Sequence, residues 1–395
     1  MNSPGCQQAN CSETLKEGMG LTPEGRRESR VCTVRVPINI ALVKYWGKRD
    51  QTQNIPLNDS LSLTINSLHA RTTLRVNYEI GTDSVKINGK SQTVTGSRYQ
   101  RVFEEVRRWE RKRKAGEVAE HPVSIQFEIT SETNFPVSAG LASSAAGFAA
   151  IAECLQKIFG FTDSQKSQLA RLGSGSAIRS IFGGLVRWRR GTQPNYEDSI
   201  AEQSFPSTHW PSLRALILVV DEGRKEYSST DGMQRTVETS TLLERRIECC
   251  DVNIDKICAA FSNRDFSAMA DMIMRDSNNF HAVCMDTSPP LMYLNDVSRT
   301  IIRLVHVYNE KNGSTVIAYT FDAGPNATLY LEEDTVQDFL DFATKQLRFA
   351  ESAQTEVEEI LGHKLDESVN NGALAQILQV IYSQVGGGPQ LLSLH

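Results

Sequence analysis

The chain has 395 residues, 40% of them hydrophobic and 23% charged, with a formal net charge of -5. That is enough apolar material for one large core or two medium ones, and the length favours two domains. The acidic balance excludes a whole-molecule field able to hold nucleic acid or an anionic membrane, so any anion it binds must be met by a local site.

Residues 1–30 are polar, carry Gly5, Gly18, Gly20 and Gly25, and lack the apolar stretch of a secretory signal. They read as a flexible N-terminal extension. The longest apolar runs, such as L-R-A-L-I-L-V-V at 213–220, are strand-sized and far short of the roughly 20 residues that span a bilayer. Eight cysteines without C-x-x-C spacing, two of them adjacent at Cys249 and Cys250, read as free thiols in a reducing compartment, which points to the cytoplasm.

Along the chain, residues 33–40 form a strand pattern, followed by a stretch carrying Lys44, Tyr45, Trp46, Gly47 and Lys48. Residues 60–65 and 72–77 alternate as two further strands, and the Asn88-Gly89 pair marks a tight hairpin turn. Helical spacing over 97–114 places Val102 and Val106 on one face, and 123–129 is strand again. An alanine-rich helix over 143–159, a second helix over 164–172 and a strand at 185–188 complete the first half, with a boundary at 204–211. Beyond it come a buried strand at 213–220 and amphipathic stretches at 237–248, 254–261, 266–274 and 294–308. Two strands at 316–321 and 327–331 are joined by a turn at 322–326. The pattern predicts an α+β fold of two layered domains, 31–205 and 206–395.

The stretch N-F-P-V-S-A-G-L-A-S-S-A-A-G at 134–147 leads from a strand into a helix with no bulky polar side chain. Small residues let main-chain N–H groups approach an anion, and the helix start adds partial positive charge. The hydroxyls of Ser143 and Ser144 suit phosphate or Mg2+. Read locally, the same residues also describe a closely packed helix capped by Ser143. The spacing P-x-x-x-G-L-x-S-S-A from 136 to 145 resembles the phosphate loop of the galactokinase, homoserine kinase, mevalonate kinase and phosphomevalonate kinase superfamily. No Walker loop or protein-kinase motif set is found.

Four further stretches resemble the mevalonate diphosphate decarboxylase family within that superfamily: P-I-N-I-A-L-V-K-Y-W-G-K-R-D at 37–50, G-S-G-S-A-I-R-S at 173–180, S-S-T-D-G-M at 228–233 and Y-T-F-D-A-G-P-N-A at 319–327. The resemblance implies a small-molecule-kinase-like α+β fold with its site in a cleft between two domains. It implies ATP and Mg2+ as co-substrate and cofactor, mevalonate 5-diphosphate as substrate, and a homodimer. Asp322, Arg179 and Lys44 would be catalytic. Substrate would meet Asn39, Tyr45, Trp46, Gly47, Lys48, Arg98, Ser174, Gly175, Ser176, Ala177, Ile178, Arg179, Ser229 and Thr230. Nucleotide would meet Ser138, Ala139, Gly140, Leu141, Ala142, Ser143, Ser144 and Lys225, with Ser143 and Ser144 beside the metal.

These assignments make chemical sense residue by residue. A lysine suits a phosphate that need not be held bidentately, and the planar Arg179 guanidinium matches a carboxylate. Asp322 stands at a strand end before Ala323 and Gly324, where it can take the proton of a hydroxyl that attacks a phosphate. Each has a plainer reading: a solvated lysine pair, a structural ion pair, or an aspartate satisfying its own turn. The acidic Asp59 stands where family members commonly carry a small or amide residue, which would alter metal or nucleotide contacts there. Ile178 replaces a cysteine common in the family's animal and fungal members. A rival function is a kinase of the same superfamily that stops at the phosphorylated product. The basic run R-R-W-E-R-K-R-K at 107–114 admits an RNA-binding reading, although interspersed glutamates make a solvated helix face the expectation.

Overall fold

A computed structural model of the chain describes residues 28–114, 124–135, 143–221, 223, 227–365 and 376–395. The extension at 1–27, the loop at 136–142 and Lys225 lie outside these residues.

Two long strands organise the first half. Strand β1 (Arg30–Val43) pairs antiparallel with β4 (Ser60–Asn77), and the short ribbon of β2 (Lys48–Asp50) and β3 (Ile55–Pro56) lies between them in the chain. The two strands expected at 60–65 and 72–77 are the halves of β4. The register jumps from Pro37 opposite His69 to Ile38 opposite Ile65, so residues 66–68 bulge out and break the alternation the pattern needs. Strands β5 (Ser84–Ile87) and β6 (Lys90–Ser91) form the hairpin expected at Asn88-Gly89. Helix α1 (Arg98–Lys114) leads to β7 (Gln126–Thr133), which pairs with β4.

Helix α2 (Ser143–Phe159) packs on β1 and β4 through Ala145, Ala146, Ala149, Ala150 and Ala152, all fully buried. Their small side chains let the helix lie close on the sheet. Helix α3 (Asp163–Gly173) is capped by Thr162 in a reciprocal capping box with Gln165. It runs into a 3₁₀ turn, Gly175–Ser180, before β8 (Leu185–Trp188) and β9 (Ala201–Phe205).

Strand β10 (Leu213–Val219) begins a second sheet and is buried at every residue. Helix α4 (Ser229–Thr239) and helix α5 (Leu243–Asn263) replace the single amphipathic stretch expected at 237–248. The break has a visible cause: Asp286 accepts hydrogen bonds from Ser240 Oγ at 2.8 Å and Leu242 N at 3.1 Å, drawing the backbone out of the helix. Helices α6 (Phe266–Asp286) and α7 (Asp296–Lys311) pack on β11 (Ile317–Phe321), which pairs with β12 (Ala327–Glu332). Helices α8 (Val336–Thr344) and α9 (Glu351–Leu361) precede β13 (Gln379–Gln384), giving the order β11-β12-β10-β13.

The last strand, β14 (Gln390–Leu394), leaves that sheet and pairs with β1, so the chain's end joins the first sheet rather than the 206–395 unit expected from sequence. A glycine contact makes this return possible. A Cβ on Gly183 would lie 2.2 Å from Gly388 N, so the two backbones touch where no side chain fits. The first half keeps one apolar cluster of its own, but the core of the second half is shared. One apolar cluster runs from Ile38, Ile40 and Leu63 to Leu216, Tyr319 and Leu329. Among the described residues no helix is long and apolar enough to cross a membrane.

Candidate active site

The ends of β1, α1, α4 and β11 surround a cavity of about 770 Å3. Its described lining carries five cations, Lys44, Lys48, Arg98, Arg101 and Arg179, and one carboxylate, Asp322. A concave site with that balance is built for an anionic ligand.

Asp322 caps β11 at the turn into β12, where Gly324 N donates to its carbonyl at 2.7 Å. Lys44 Nζ donates to Asp322 Oδ1 at 2.7 Å and to Ala41 O at 2.9 Å. The lysine is 4% exposed, whereas 37% of the aspartate side chain faces the cleft. Burial leaves the pair little solvent screening while the aspartate stays open to ligand.

Lys44 is itself held by both of its backbone groups. Asp276 Oδ2 accepts from Lys44 N at 3.0 Å, and Arg246 Nη2 donates to Lys44 O at 2.7 Å. Arg246 and Asp276 also pair with each other at 3.1 Å and are buried together, each no more than 1% exposed. This buried ion pair on α5 and α6 fixes the end of β1 against the second half. His281 lies in the same region, and burial followed by the Lys44 charge lowers its imidazole to about 3. It is therefore neutral at ordinary pH.

Arg179, in the 3₁₀ turn, donates from Nε to Asn39 Oδ1 at 3.3 Å and from Nη1 to Ser60 Oγ at 2.7 Å. Its guanidinium lies 5.7 Å from the centre of the Tyr45 ring. Burial lowers its pKa to about 10, with Tyr45 and Asp322 opposing, so it stays charged. Asn39 also donates to Ser176 O at 3.0 Å and Ser180 Oγ at 2.8 Å, so its amide positions the turn and Arg179 together. Beside them the Ser144, Ser174 and Ser176 hydroxyls form a row, 3.5 Å and then 3.4 Å apart.

At the other end stand Lys48, Arg98 and Arg101. Lys48 Nζ donates to Asn54 Oδ1 at 2.8 Å, and burial, then Arg101, then Arg98 lower its ammonium to about 8. Arg98 lies 5.0 Å from the centre of the Phe148 ring, and burial lowers its pKa as well. Cations pressed together this way are poised for a bound anion.

The cavity thus gathers most of the residues expected from sequence, including Tyr45, Gly175, Ser229 and Thr230, the last two opening α4. Four of the expected residues also have a packing or backbone setting of their own. Gly47 holds φ +97°, a conformation that L side chains rarely adopt, and a Cβ there would also meet Leu57 Cδ1 at 2.7 Å. Ala177 and Ile178 are fully buried in the apolar cluster under the first sheet, because successive residues of a tight turn point to different sides. Trp46 lines the cavity, yet its indole is 4% exposed, donates from Nε1 to Thr236 Oγ1 at 2.9 Å and packs edge-on to Phe280, so it braces α4.

Asp59 does not reach the cleft. Its carboxylate accepts from Arg187 Nε and from Arg190 N, both at 2.8 Å, which removes the altered metal or nucleotide contact expected there. In the basic run, Arg107 pairs with Asp83 at 2.6 Å, Arg108 with Glu105 and Arg113 with Glu110, and Trp109 packs on Phe161. Three of the run's arginines are thus paired and its tryptophan is packed inward. Ser138, Ala139, Gly140, Leu141, Ala142, Lys225 and the Ser143 side chain lie outside the described residues. Sequence reasoning missed Arg101, Asn54 and Gln234, all of which line the cavity. Arg101 had a signal, since it follows Arg98 by three positions on a helix.

The paired sheets and the cationic cleft ending in a lysine-held aspartate define the class: the small-molecule-kinase-like fold of the galactokinase, homoserine kinase, mevalonate kinase and phosphomevalonate kinase superfamily. Residues 36–201 match the family described as diphosphomevalonate decarboxylase-like N-terminal domain, and 215–392 the mevalonate 5-diphosphate decarboxylase C-terminal domain. The chain belongs to the mevalonate diphosphate decarboxylase family and is a decarboxylase. It is 42% identical to the diphosphomevalonate decarboxylase of Bos taurus over 379 residues, covering 92% of this chain and 94% of that one. The Homo sapiens relative is 41% identical over 373 residues, covering 91% and 93%. The fold is similar to mevalonate diphosphate decarboxylase from Trypanosoma brucei, with TM-score 0.82, 33% identity and coverage of 92% and 98%. It is similar too to a structure described as MDDEF in complex with MVAPP, AMPPCP and magnesium, with TM-score 0.74, 27% identity and coverage of 92% and 99%.

Proposed function

We propose that the chain converts (R)-mevalonate 5-diphosphate and ATP to isopentenyl diphosphate, CO2, ADP and phosphate, with the roles that follow. The observation that carries the reading is the Asp322–Lys44 pair at one end of a cleft whose other described charges are all cationic.

Asp322 accepts the proton of the C3 hydroxyl as that oxygen attacks the γ-phosphate of ATP. Lys44 orients the carboxylate through their 2.7 Å contact, and stands ready to donate to a phosphoryl oxygen. Arg179 takes the substrate carboxylate. Its Nε and Nη1 are spent on Asn39 and Ser60, while Nη2 makes no hydrogen bond among the described residues. Tyr45, Lys48 and Arg98 take the diphosphate. The C3–O bond then breaks, phosphate leaves with its electron pair, and the C1–C2 electrons form the double bond as CO2 departs.

The donors fit Mg2+ brought in on the nucleotide. Ser144 offers a hydroxyl and Asp322 a carboxylate, both hard oxygens, and phosphate oxygens supply the rest. Among the described residues no group of three or more His, Cys, Asp or Glu is placed to hold an ion by itself. When bound, the ion neutralises charge on the transferring phosphoryl group. The segment 138–144 and Lys225 are assigned to the nucleotide by family resemblance.

The product makes this a step of isoprenoid supply and hence of sterol synthesis. A cytoplasmic location accords with the free thiols of the described cysteines. A homodimer accords with the exposed Leu391, Leu392 and Leu394 on edge strand β14. The two units 31–205 and 206–389, with the last strand returned to the first, are the domains we assign.

Asp322→Asn and Arg179→Ala test the residue roles. With unchanged melting temperature, Asp322→Asn should lower kcat by roughly 100- to 10,000-fold, the usual loss for a general base. Near-normal turnover of that variant would remove Asp322 from the chemistry.

A further inference from the structure

Helix α1 opens on Arg98, and Arg101 follows one turn later on the same face. Both line the cleft with Lys48. The first turn of α1 carries no acidic residue, and two cations there oppose the helix's own positive end. Helix stability therefore does not account for them. Among the described residues no ion pair neutralises Lys48, Arg98 or Arg101, whereas three arginines further along α1, Arg107, Arg108 and Arg113, are each paired with a carboxylate. Arg98 and Arg101 thus bring unneutralised charge to the cavity wall.

The order of groups along the cleft follows from their neighbours. Asp322 is held by Lys44 at 2.7 Å, Arg179 lies 5.7 Å from the Tyr45 ring, and Lys48 is tied to Asn54 at 2.8 Å beside the ribbon of β2 and β3. Arg101 reaches the same ribbon. There its Nη1 donates to Thr52 O at 3.0 Å, in the turn between β2 and β3. A guanidinium carries five N–H donors, and this single bond anchors the side chain while leaving the rest available.

We propose that Arg101 is a further substrate-binding residue, which closes on the outer phosphate of the diphosphate and sets the preference for a diphosphate over a monophosphate. The proposal rests on the functional reading above. A substrate held by its carboxylate at Arg179 and its C3 hydroxyl at Asp322 extends toward Lys48 and Arg101. Its first phosphate reaches Tyr45 and Arg98, and only its second reaches the anchored guanidinium. A planar fork also suits a terminal phosphate, whose three free oxygens offer more bidentate pairs than the two on the inner phosphate.

The test is steady-state kinetics on the full chain with Arg101→Gln and Arg101→Lys, varying mevalonate 5-diphosphate and ATP separately. The 5-monophosphate serves as a competitive inhibitor. In Arg101→Gln the KM for the diphosphate should rise about tenfold or more, the usual scale for losing a hydrogen bond between charged groups. The KM for ATP, kcat and the inhibition constant of the monophosphate should stay within about twofold. Arg101→Lys, which keeps the charge without the fork, should fall between. An unchanged KM for the diphosphate, or equal loss toward ATP or the monophosphate, overturns the proposal. Wild-type protein that releases no CO2 from the diphosphate would instead sink the functional reading itself, so that assay comes first.

Discussion

At Lys48 burial and two neighbouring arginines act in the same direction, bringing the ammonium down to about 8. It is charged below that pH and neutral above it, and a bound anion favours the charged form. The KM for mevalonate 5-diphosphate should therefore be flat below about pH 8 and rise above it by up to about tenfold per unit. The second ionisation of a phosphate, near pH 6, is complete by then. Lys48→Arg should flatten the rise, and the KM for ATP should show no such break. Rate measurements from pH 6.5 to 9.5 check this, and a break shared by both substrates would place it elsewhere.

Single residues were legible from sequence when chemistry alone marked them. A carboxylate before a tight turn, at Asp322, and an arginine closing a serine-rich stretch, at Arg179, both reached the cleft. Ala177, Ile178 and Gly47 were named with their motifs, and the structure sets the first two in a buried cluster and the third at a positive φ. Asn54 escaped notice because its role depends on Lys48, Arg171 and Leu172, which the fold alone brings to it.

Between the elements, the buried Arg246–Asp276 pair couples α5 and α6 to the end of β1. Removing one partner strands a buried charge, so Asp276→Ala should cost about 3–5 kcal/mol in urea unfolding. Activity should fall with it, since the Lys44 peptide loses its anchor. A double variant, Arg246→Met with Asp276→Leu, should regain much of the stability but not the activity. Recovery of both would mean that the pair does not position Lys44. No sequence pattern linked positions 44, 246 and 276, because each hydrogen bond joins segments more than 25 residues apart.

Strands and helices with clean periodicity were legible, α2 and β8 to the residue. Where local hydrogen bonding overrode the period, at the bulge of 66–68 and at the Asp286 cap over Ser240, it was not. The last strand escaped notice for another reason. It is exposed along most of its length and so lacks the alternation a half-buried strand would show.

At the scale of the whole molecule, the two-domain expectation meets an apolar cluster that crosses from one half to the other. Cores that share side chains unfold together, so calorimetry should show a single cooperative transition rather than two. Two separated transitions would mean that the halves are independent. The cleft lies across this shared core, which is how an aspartate after β11 comes to be held by a lysine after β1.

The most direct measurement follows carboxyl-labelled mevalonate 5-diphosphate through a single turnover with Mg-ATP, counting CO2, ADP and phosphate together. Equal amounts of all three are expected. ADP formed without CO2 would contradict the account, leaving a kinase that stops at the phosphorylated intermediate.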